Sequence, residues 1–238
     1  MSRAKLEQAV TNRTSPASPF SWRRDGEVDR LAPFERHVHW LLLDELAPRA
    51  WSRVLVLQCG DGWAAEEIRR RLGRGSVCGL DLSAKKVRQA QRLRAVPDQL
   101  EFGVWDGRTL AFPNQSFDCA LLSFALNLHD HPVDLLKQVN GILRPGGRLL
   151  VLEVDRRAFH GLYTLWDHVF RLTNTRHVRY YETREVLAFL KAAGFANAAV
   201  RGRYERLWSG GKLLAGATIL SAERGMRDQG PKDGPRGR

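Results

Sequence analysis

Arg53-Val-Leu-Val-Leu-Gln-Cys-Gly-Asp-Gly-Trp63 decides the fold of this chain. Its apolar run ends in Gly60-Asp61-Gly62, and a charged helical pattern begins at once. The order is that of a buried strand, a tight glycine turn and a helix N-terminus. An open α/β sheet builds a nucleotide site in this way at the end of its first strand. Glycines there let the backbone take positive φ, and let a ligand approach where a Cβ would stand in the way. Glycine turns after strands are common, so the weight of the assignment comes from the segments that follow.

Working outward, the pattern of a first strand over Arg53–Cys59 is followed by a helix over Trp63–Leu72, broken at Gly73 to Gly75. A second strand is expected at Ser76–Leu82, and Ser83 is a good N-cap for a helix over Ala84–Arg94. A third strand, Leu100–Trp105, leads into a polar loop over Asp106–Ser116. Phe117–Ala125 is an unbroken apolar run, as an interior parallel strand requires. A helix over Pro132–Leu143 starts with proline in its first turn, Arg144-Pro-Gly-Gly147 makes a turn, and Arg148–Val154 is a fifth strand. Strands alternating with helices predict a doubly wound, mostly parallel α/β sheet.

The flanks differ. Residues 1–30 are polar and Ser/Thr/Pro-rich, and are expected to form a flexible arm. A helix is expected from Pro33, with Phe34, Val38, Leu41, Leu42 and Leu46 on its apolar face and Pro48 as its stop. The single domain is taken as 31–225, with an aromatic-rich insertion at about 156–183 that would form a lid. A helix over Thr183–Ala193 and two strands, Asn197–Tyr204 and Leu214–Ala222, complete it. The turn Trp208-Ser-Gly-Gly211 suits an antiparallel pair. The end, 226–238, is expected to be a disordered basic tail.

The 238 residues suffice for one sizeable domain. No apolar run approaches the ~20 residues of a membrane span, and no signal-peptide core is visible. Cys59, Cys78 and Cys119 show no metal-ligand spacing. Each falls in or at the end of an apolar run, which predicts buried, reduced thiols and a cytoplasmic protein. The net charge of +12 would suit an anionic partner. However, only seven of the 38 basic residues are lysine, and they are spread along the chain with no basic stripe interleaved with aromatics. A compositional bias accounts for them.

Three positions fall at successive strand ends: Gly60-Asp61-Gly62 after the first, Asp81 at the second and Asp106 at the third. In a parallel sheet these ends share one edge, where ligands bind. An acid at the second end is placed to accept both hydroxyls of a ribose, and one at the third to accept the amine of an adenine. Taken singly, Asp81 reads as a helix cap and Asp106 as a turn former; in register they point to a nucleoside.

Four segments carry a resemblance. They are Val54-Leu-Val-Leu-Gln-Cys-Gly-Asp-Gly62, Gly79-Leu-Asp-Leu-Ser83, Asp106–Asp118 and Leu135–Glu153. Together they resemble the class I S-adenosylmethionine (SAM)-dependent methyltransferases, and within them the ubiquinone/menaquinone biosynthesis C-methyltransferase type. The likeness covers about residues 35 to 222 and implies a Rossmann-like, seven-stranded sheet with an antiparallel C-terminal strand. It also implies SAM as cofactor. Gln58, Cys59, Gly60, Asp61 and Gly62 would hold its methionine end, Asp81 its ribose, and Leu82 its adenine face. Asp106 and Gly107 would meet the adenine edge, and Ser123 with Phe124 would border the methyl group and the acceptor.

Two residues depart from the family pattern. It has an acid where Val56 stands and glycine where Gln58 stands. Asp61 or Glu66 is expected to compensate for the acid, and Val56→Asp is expected to leave SAM binding unchanged or tighter. In-line alignment supplies much of the rate of methyl transfer. A hydroxyl or acidic-carbon acceptor also needs a base. In Asn127-Leu-His-Asp-His-Pro132, His129 beside Asp130 resembles the pair some O-methyltransferases use, although the alignment puts the family's histidine on Leu128. His129 is the candidate base; a loop histidine at the start of a helix is the plainer alternative.

Tyr163, Trp166, Phe170, Tyr180 and Tyr181 are expected to line an apolar acceptor pocket, to pack on the sheet, or to make transient contact with a membrane surface. The predicted activity is methyl transfer from SAM to a small, apolar or aromatic acceptor. Two alternatives stand beside it. A SAM-fold binding or scaffold protein without methylation would explain Val56 and Gln58. A nicotinamide-dependent dehydrogenase would explain Gly60-Asp-Gly-Trp-Ala-Ala65 but not Leu110–Asp118 or Leu143–Glu153. The base-flipping type of motif is absent after the fourth strand, where Leu122-Ser-Phe-Ala125 stands, so there is no specific nucleic-acid motif.

Overall fold

The order of strands across the main sheet is 3-2-1-4-5-9-6. It was obtained from a computed structural model that describes residues 43–155, 179–204, 207–209, 212–214 and 217–226. The strands are β1 (Arg53–Leu57), β2 (Ser76–Asp81), β3 (Leu100–Val104), β4 (Phe117–Ser123), β5 (Leu143–Val154), β6 (Phe195–Tyr204) and β9 (Ala217–Arg224). Between the last two lies a separate hairpin of β7 (Leu207–Ser209) and β8 (Lys212–Leu214). The helices are α1 (Trp63–Arg71), α2 (Ala84–Arg94), α3 (Pro132–Ile142) and α4 (Thr183–Ala192). β1 to β5 pair in parallel, and β9 runs antiparallel to both β5 and β6. The expected sheet, with one antiparallel late strand, is present.

Period-two alternation explains the layers. Val54 and Val56 point to a core with Ala65 and Ile68 of α1 and Val87 and Ala90 of α2. Leu55 and Leu57 point the opposite way, to Leu135, Leu136 and Val139 of α3 and Val186 and Leu190 of α4. Helices therefore cover both faces, and the interior strands are apolar on both sides. Leu43 and Leu46 of the N-terminal helix are buried on the α1 side. Only residues 43–46 of that helix are described, ending where Ala47 takes φ +40° just before Pro48.

Several boundaries move for identifiable reasons. β1 stops at Leu57, two residues early, because Gln58 turns to φ +57°. β4 stops at Ser123, since Phe124 adopts φ +55° and Leu126–Leu128 winds into a 3-10 turn. β5 begins at Leu143, before the predicted turn: Phe117 pairs Leu143, and the register then jumps to Cys119 with Arg148. Arg144 to Gly147 therefore bulges out of the strand. Trp208 and Ser209 of the predicted turn lie instead in β7, where they pair with Leu213 and Lys212 of β8. The arm 1–30, most of the lid (156–178) and the tail 227–238 lie outside the described residues. The three cysteines are free and buried.

Candidate functional site

The loop leaving β1 is held by its own backbone and by one acid. Cys59 N–H donates to the Leu80 carbonyl, and Gly62 N–H to the Cys59 carbonyl, each at 3.0 Å. Gly62 sits at φ +84°, and a Cβ there would lie 2.6 Å from Cζ of Phe102. Only glycine fits, which lets α1 start against β3. Asp61 Oδ1 accepts the Trp63 N–H at 3.1 Å, at the first turn of α1.

Asp81 is 1% exposed. Its Oδ2 accepts the Gly60 N–H at 2.9 Å and its Oδ1 the Ser83 N–H at 2.8 Å. Burial raises its pKa, against the pull of the Lys86 charge and of the Ser83 and Gly60 N–H groups. The sequence offers Asp81 as a ribose contact or, more plainly, as a helix cap; in the structure it holds both the loop and the start of α2. Ser83 is the N-cap, as expected, accepting the Lys86 N–H at 3.4 Å. Each carboxylate oxygen of Asp81 keeps a second lone pair for a ligand hydroxyl.

Leu82 and Gly107 meet: a Cβ on Gly107, which has φ +79°, would come 3.0 Å from Leu82 Cδ2. The ends of β2 and β3 thus make one apolar edge, as an adenine would need. Asp106 is exposed, and its Oδ1 caps the following turn by accepting from Arg108 N–H at 2.8 Å and Thr109 N–H at 3.1 Å. Ser123 closes β4 at half-burial, beside the strained Phe124, whose N–H donates to the Leu152 carbonyl at 2.8 Å. All ten predicted cofactor contacts therefore cluster at the carboxyl edge of β1 to β4.

The two departures take concrete form. Val56 is fully buried in the α1-side core. Gln58 occupies the left-handed region at φ +57°, where glycine would be unstrained. Its Nε2 is buried with no hydrogen-bond partner among the described residues. Asp61 and Glu66, the expected substitutes for the acid, are instead drawn together by Arg94 at the end of α2. The Arg94 Nε donates to the Asp61 carbonyl at 3.0 Å, and its guanidinium pairs with Glu66 and lies 3.6 Å from the Asp61 carboxylate. Glu66 also pairs with Arg70 at 2.8 Å. These acids brace the loop from outside rather than facing inward.

The candidate base His129 lies between the 3-10 turn and α3. Its ring stacks on Trp105 with centroids 6.0 Å apart and planes at 13°. Its Nδ1 accepts the His131 N–H at 3.1 Å. Burial lowers the His129 pKa, opposed first by the His131 backbone contact and then by Asp130. The structure gives His129 a turn-forming role at the start of α3.

A polar group that the sequence reasoning missed lies at the ends of β4 and β5. Glu153 is 2% exposed, and its Oε1 accepts the Leu126 N–H at 2.7 Å. Burial pushes its pKa up to about 8, with the N–H groups of Leu126, Asn127 and Ala125 pulling the other way. Asn127, in the 3-10 turn, is 1% exposed. Its signal in the sequence was a lone amide between Leu126 and Leu128, and that of Glu153 an acid closing an otherwise apolar strand.

Comparison with known proteins fits this edge. Residues 54–147 match a family model described as "Methyltransferase domain". That stretch, from β1 into β5, is thus similar to a methyltransferase domain. The chain is 34% identical over 118 residues to the ubiquinone/menaquinone biosynthesis C-methyltransferase UbiE of Roseobacter denitrificans, covering 48% of this chain and 47% of that protein. It is 29% identical over 182 residues to the UbiE of a Ruegeria species, covering 67% and 72%. The chain thus spans about half the length of the first relative. The YcgJ protein of Bacillus subtilis shares the fold, with a TM-score of 0.66, 18% identity and coverage of 80% of this chain and 99% of that one.

The residues present fit SAM, the cofactor that the resemblance implies, at two of its three parts. The Leu82–Gly107 edge suits the adenine, and Asp81 keeps acceptor capacity for the ribose. At the methionine end the fit is altered: Val56 offers no charge, and the orphaned Gln58 amide is the polar group that stands nearby in the chain.

Proposed function

We propose that this protein transfers the methyl group of SAM to a small, apolar or aromatic acceptor, in the manner of a UbiE-type C-methyltransferase. The observation that carries the proposal is the meeting of Gly60, Asp81, Leu82 and Gly107 at one edge of the parallel sheet. When bound, SAM would supply an electrophilic sulfonium methyl. The chain's own part is positioning. The Cys59–Gly62 loop would seat the methionine end, Asp81 the ribose hydroxyls, and Asp106 the adenine amine. Ser123 and Phe124 would confine the acceptor, since the bend at Phe124 ends β4 there. Holding the acceptor in line with the sulfur–methyl bond is the main catalytic demand.

A second reading has a specific observation behind it. Val56 buried in the core and Gln58 strained in the loop also suit a SAM-fold binding protein without methylation. Incubation with methyl-labelled SAM and a small-molecule extract of the host separates the two. Label entering a small organic compound is the expected result. Binding of SAM without any transfer would favour the second reading, and label in protein or nucleic acid would contradict the acceptor class.

A further inference from the structure

Gln58 carries two costs that a glycine in its place would not. Its backbone sits in the left-handed region at φ +57°, and its Nε2 is buried with no hydrogen-bond partner among the described residues. Both costs fall where β1 ends and the cofactor loop begins, next to Cys59 and Gly60. Backbone strain of this kind clusters at ligand sites, where a ligand makes use of it.

The loop does not itself supply the acceptor that the Gln58 amide lacks. The Cys59 carbonyl accepts the Gly62 N–H, and the Gly62 carbonyl the Glu66 N–H. Both oxygens of Asp81 are engaged, by the Gly60 N–H at 2.9 Å and the Ser83 N–H at 2.8 Å. Asp61 Oδ1 accepts the Trp63 N–H at 3.1 Å, and the carboxylates of Asp61 and Glu66 both face Arg94. Gln58 as a residue is half-buried, so its amide stands at the margin of the loop. Its three side-chain torsions let the nitrogen turn to a ligand without moving the backbone.

The charges at this corner select the ligand group. The methionine end of SAM, and of its demethylated product S-adenosylhomocysteine, carries an ammonium that donates and a carboxylate that accepts. Val56 puts an apolar side chain into a closed core, and the acids next in the chain, Asp61 and Glu66, are drawn to Arg94. An ammonium therefore meets no free acid in this loop, whereas a carboxylate meets an unpaired N–H.

We infer that Gln58 sets the ligand specificity of the loop: its amide N–H donates to the carboxylate of the methionine end, and this chain reads that carboxylate in preference to the ammonium. The inference deepens the proposed function and rests on it. The ligand class becomes adenosyl sulfoniums and thioethers that end in a carboxylate, with the amino group dispensable.

The test is calorimetric titration of the full chain with S-adenosylhomocysteine, its decarboxylated form and its deaminated form. Loss of the carboxylate should weaken binding by the wild type roughly tenfold or more, as loss of a hydrogen bond to a charged group does. Loss of the amino group should cost less than about threefold, since no acid pairs with it. Gln58→Gly, which also relieves the backbone strain, should cut the carboxylate's margin to about threefold or less. Gln58→Glu keeps the shape but sets a like charge against the carboxylate, so it should bind the decarboxylated form more tightly than the deaminated one. Equal binding of all three ligands by the wild type, a larger loss on deamination than on decarboxylation, or a Gln58→Gly protein that keeps the full margin would overturn the inference and leave the SAM site standing. Failure of the wild type to bind S-adenosylhomocysteine at all would overturn the proposed function, and the inference with it.

Discussion

Asp81 accepts the Gly60 N–H at 2.9 Å, and so ties the end of β2 to the loop leaving β1. Its other oxygen holds the Ser83 N–H at the head of α2. One buried carboxylate therefore shapes the cofactor loop before any ligand arrives. Removing it should unfold as well as disarm. Asp81→Ala leaves two backbone donors without acceptors, a loss of about 2–4 kcal/mol. Asp81→Asn, which keeps one acceptor, should lose about half as much. Urea denaturation of both variants measures the difference, and equal stability of Asp81→Ala and wild type would refute the bracing role.

Gln58 is the residue at which the chain departs most visibly from an unstrained loop. Its left-handed backbone costs ~1–2 kcal/mol relative to an unstrained conformation. Its orphaned amide nitrogen adds a desolvation cost. Gln58→Gly relieves both, offset by the ~0.5–1 kcal/mol entropy cost of glycine. A net gain of about 1 kcal/mol, or roughly 2–4 °C in melting temperature, is expected. Gln58→Ala, which removes only the amide, should gain less. A scanning calorimetry trace in which Gln58→Gly melts below wild type would contradict the strain.

Val56→Asp restores the family's acid in sequence but not in structure. Val56 packs with Val54, Val77, Phe102 and Leu121 in a closed apolar core. An unpaired carboxylate there should cost on the order of 3 kcal/mol or more, or be held protonated. Whatever its effect on SAM binding, its melting temperature should fall well below that of wild type. Unchanged stability would mean the loop can furnish a partner that the ligand-free packing lacks.

Glu153 gives a pH signature. Its ordinary pKa of 4.5 rises to about 8 on folding, through burial. As pH climbs, the unfolded chain loses this proton first. The stability tied to the neutral carboxyl is therefore complete below about 4.5 and is lost as pH rises toward about 8. Glu153→Gln cannot ionise and escapes that loss. The stability of Glu153→Gln relative to wild type should thus improve between about pH 5 and pH 8.5, as measured by paired thermal melts. Tyr181 and Arg179, which face the same cluster, are common to both proteins. A difference independent of pH would contradict the buried, proton-holding carboxyl.

What could be read from the sequence was what is local. Strand alternation, the glycine turn and Ser83 as a cap follow from neighbours a few residues apart, and they placed the sheet and the cofactor edge. Even a motif residue such as Asp118 had a fold role that spacing could not show. It accepts the Arg53 N–H at 2.8 Å and the Arg144 guanidinium at 2.6 Å, and so links β4 to the strands on either side. The Leu126 N–H and the Glu153 carboxyl meet across 27 residues of chain, and no periodicity reports such a meeting.

The account stands most directly on binding of the demethylated cofactor. Isothermal calorimetry of the wild-type chain with S-adenosylhomocysteine should give a saturable heat, and Asp81→Asn, where it remains folded by circular dichroism, should bind much more weakly. No heat with S-adenosylhomocysteine alongside binding of NAD, or wild-type affinity in folded Asp81→Asn, would contradict the assignment of this edge as a SAM site.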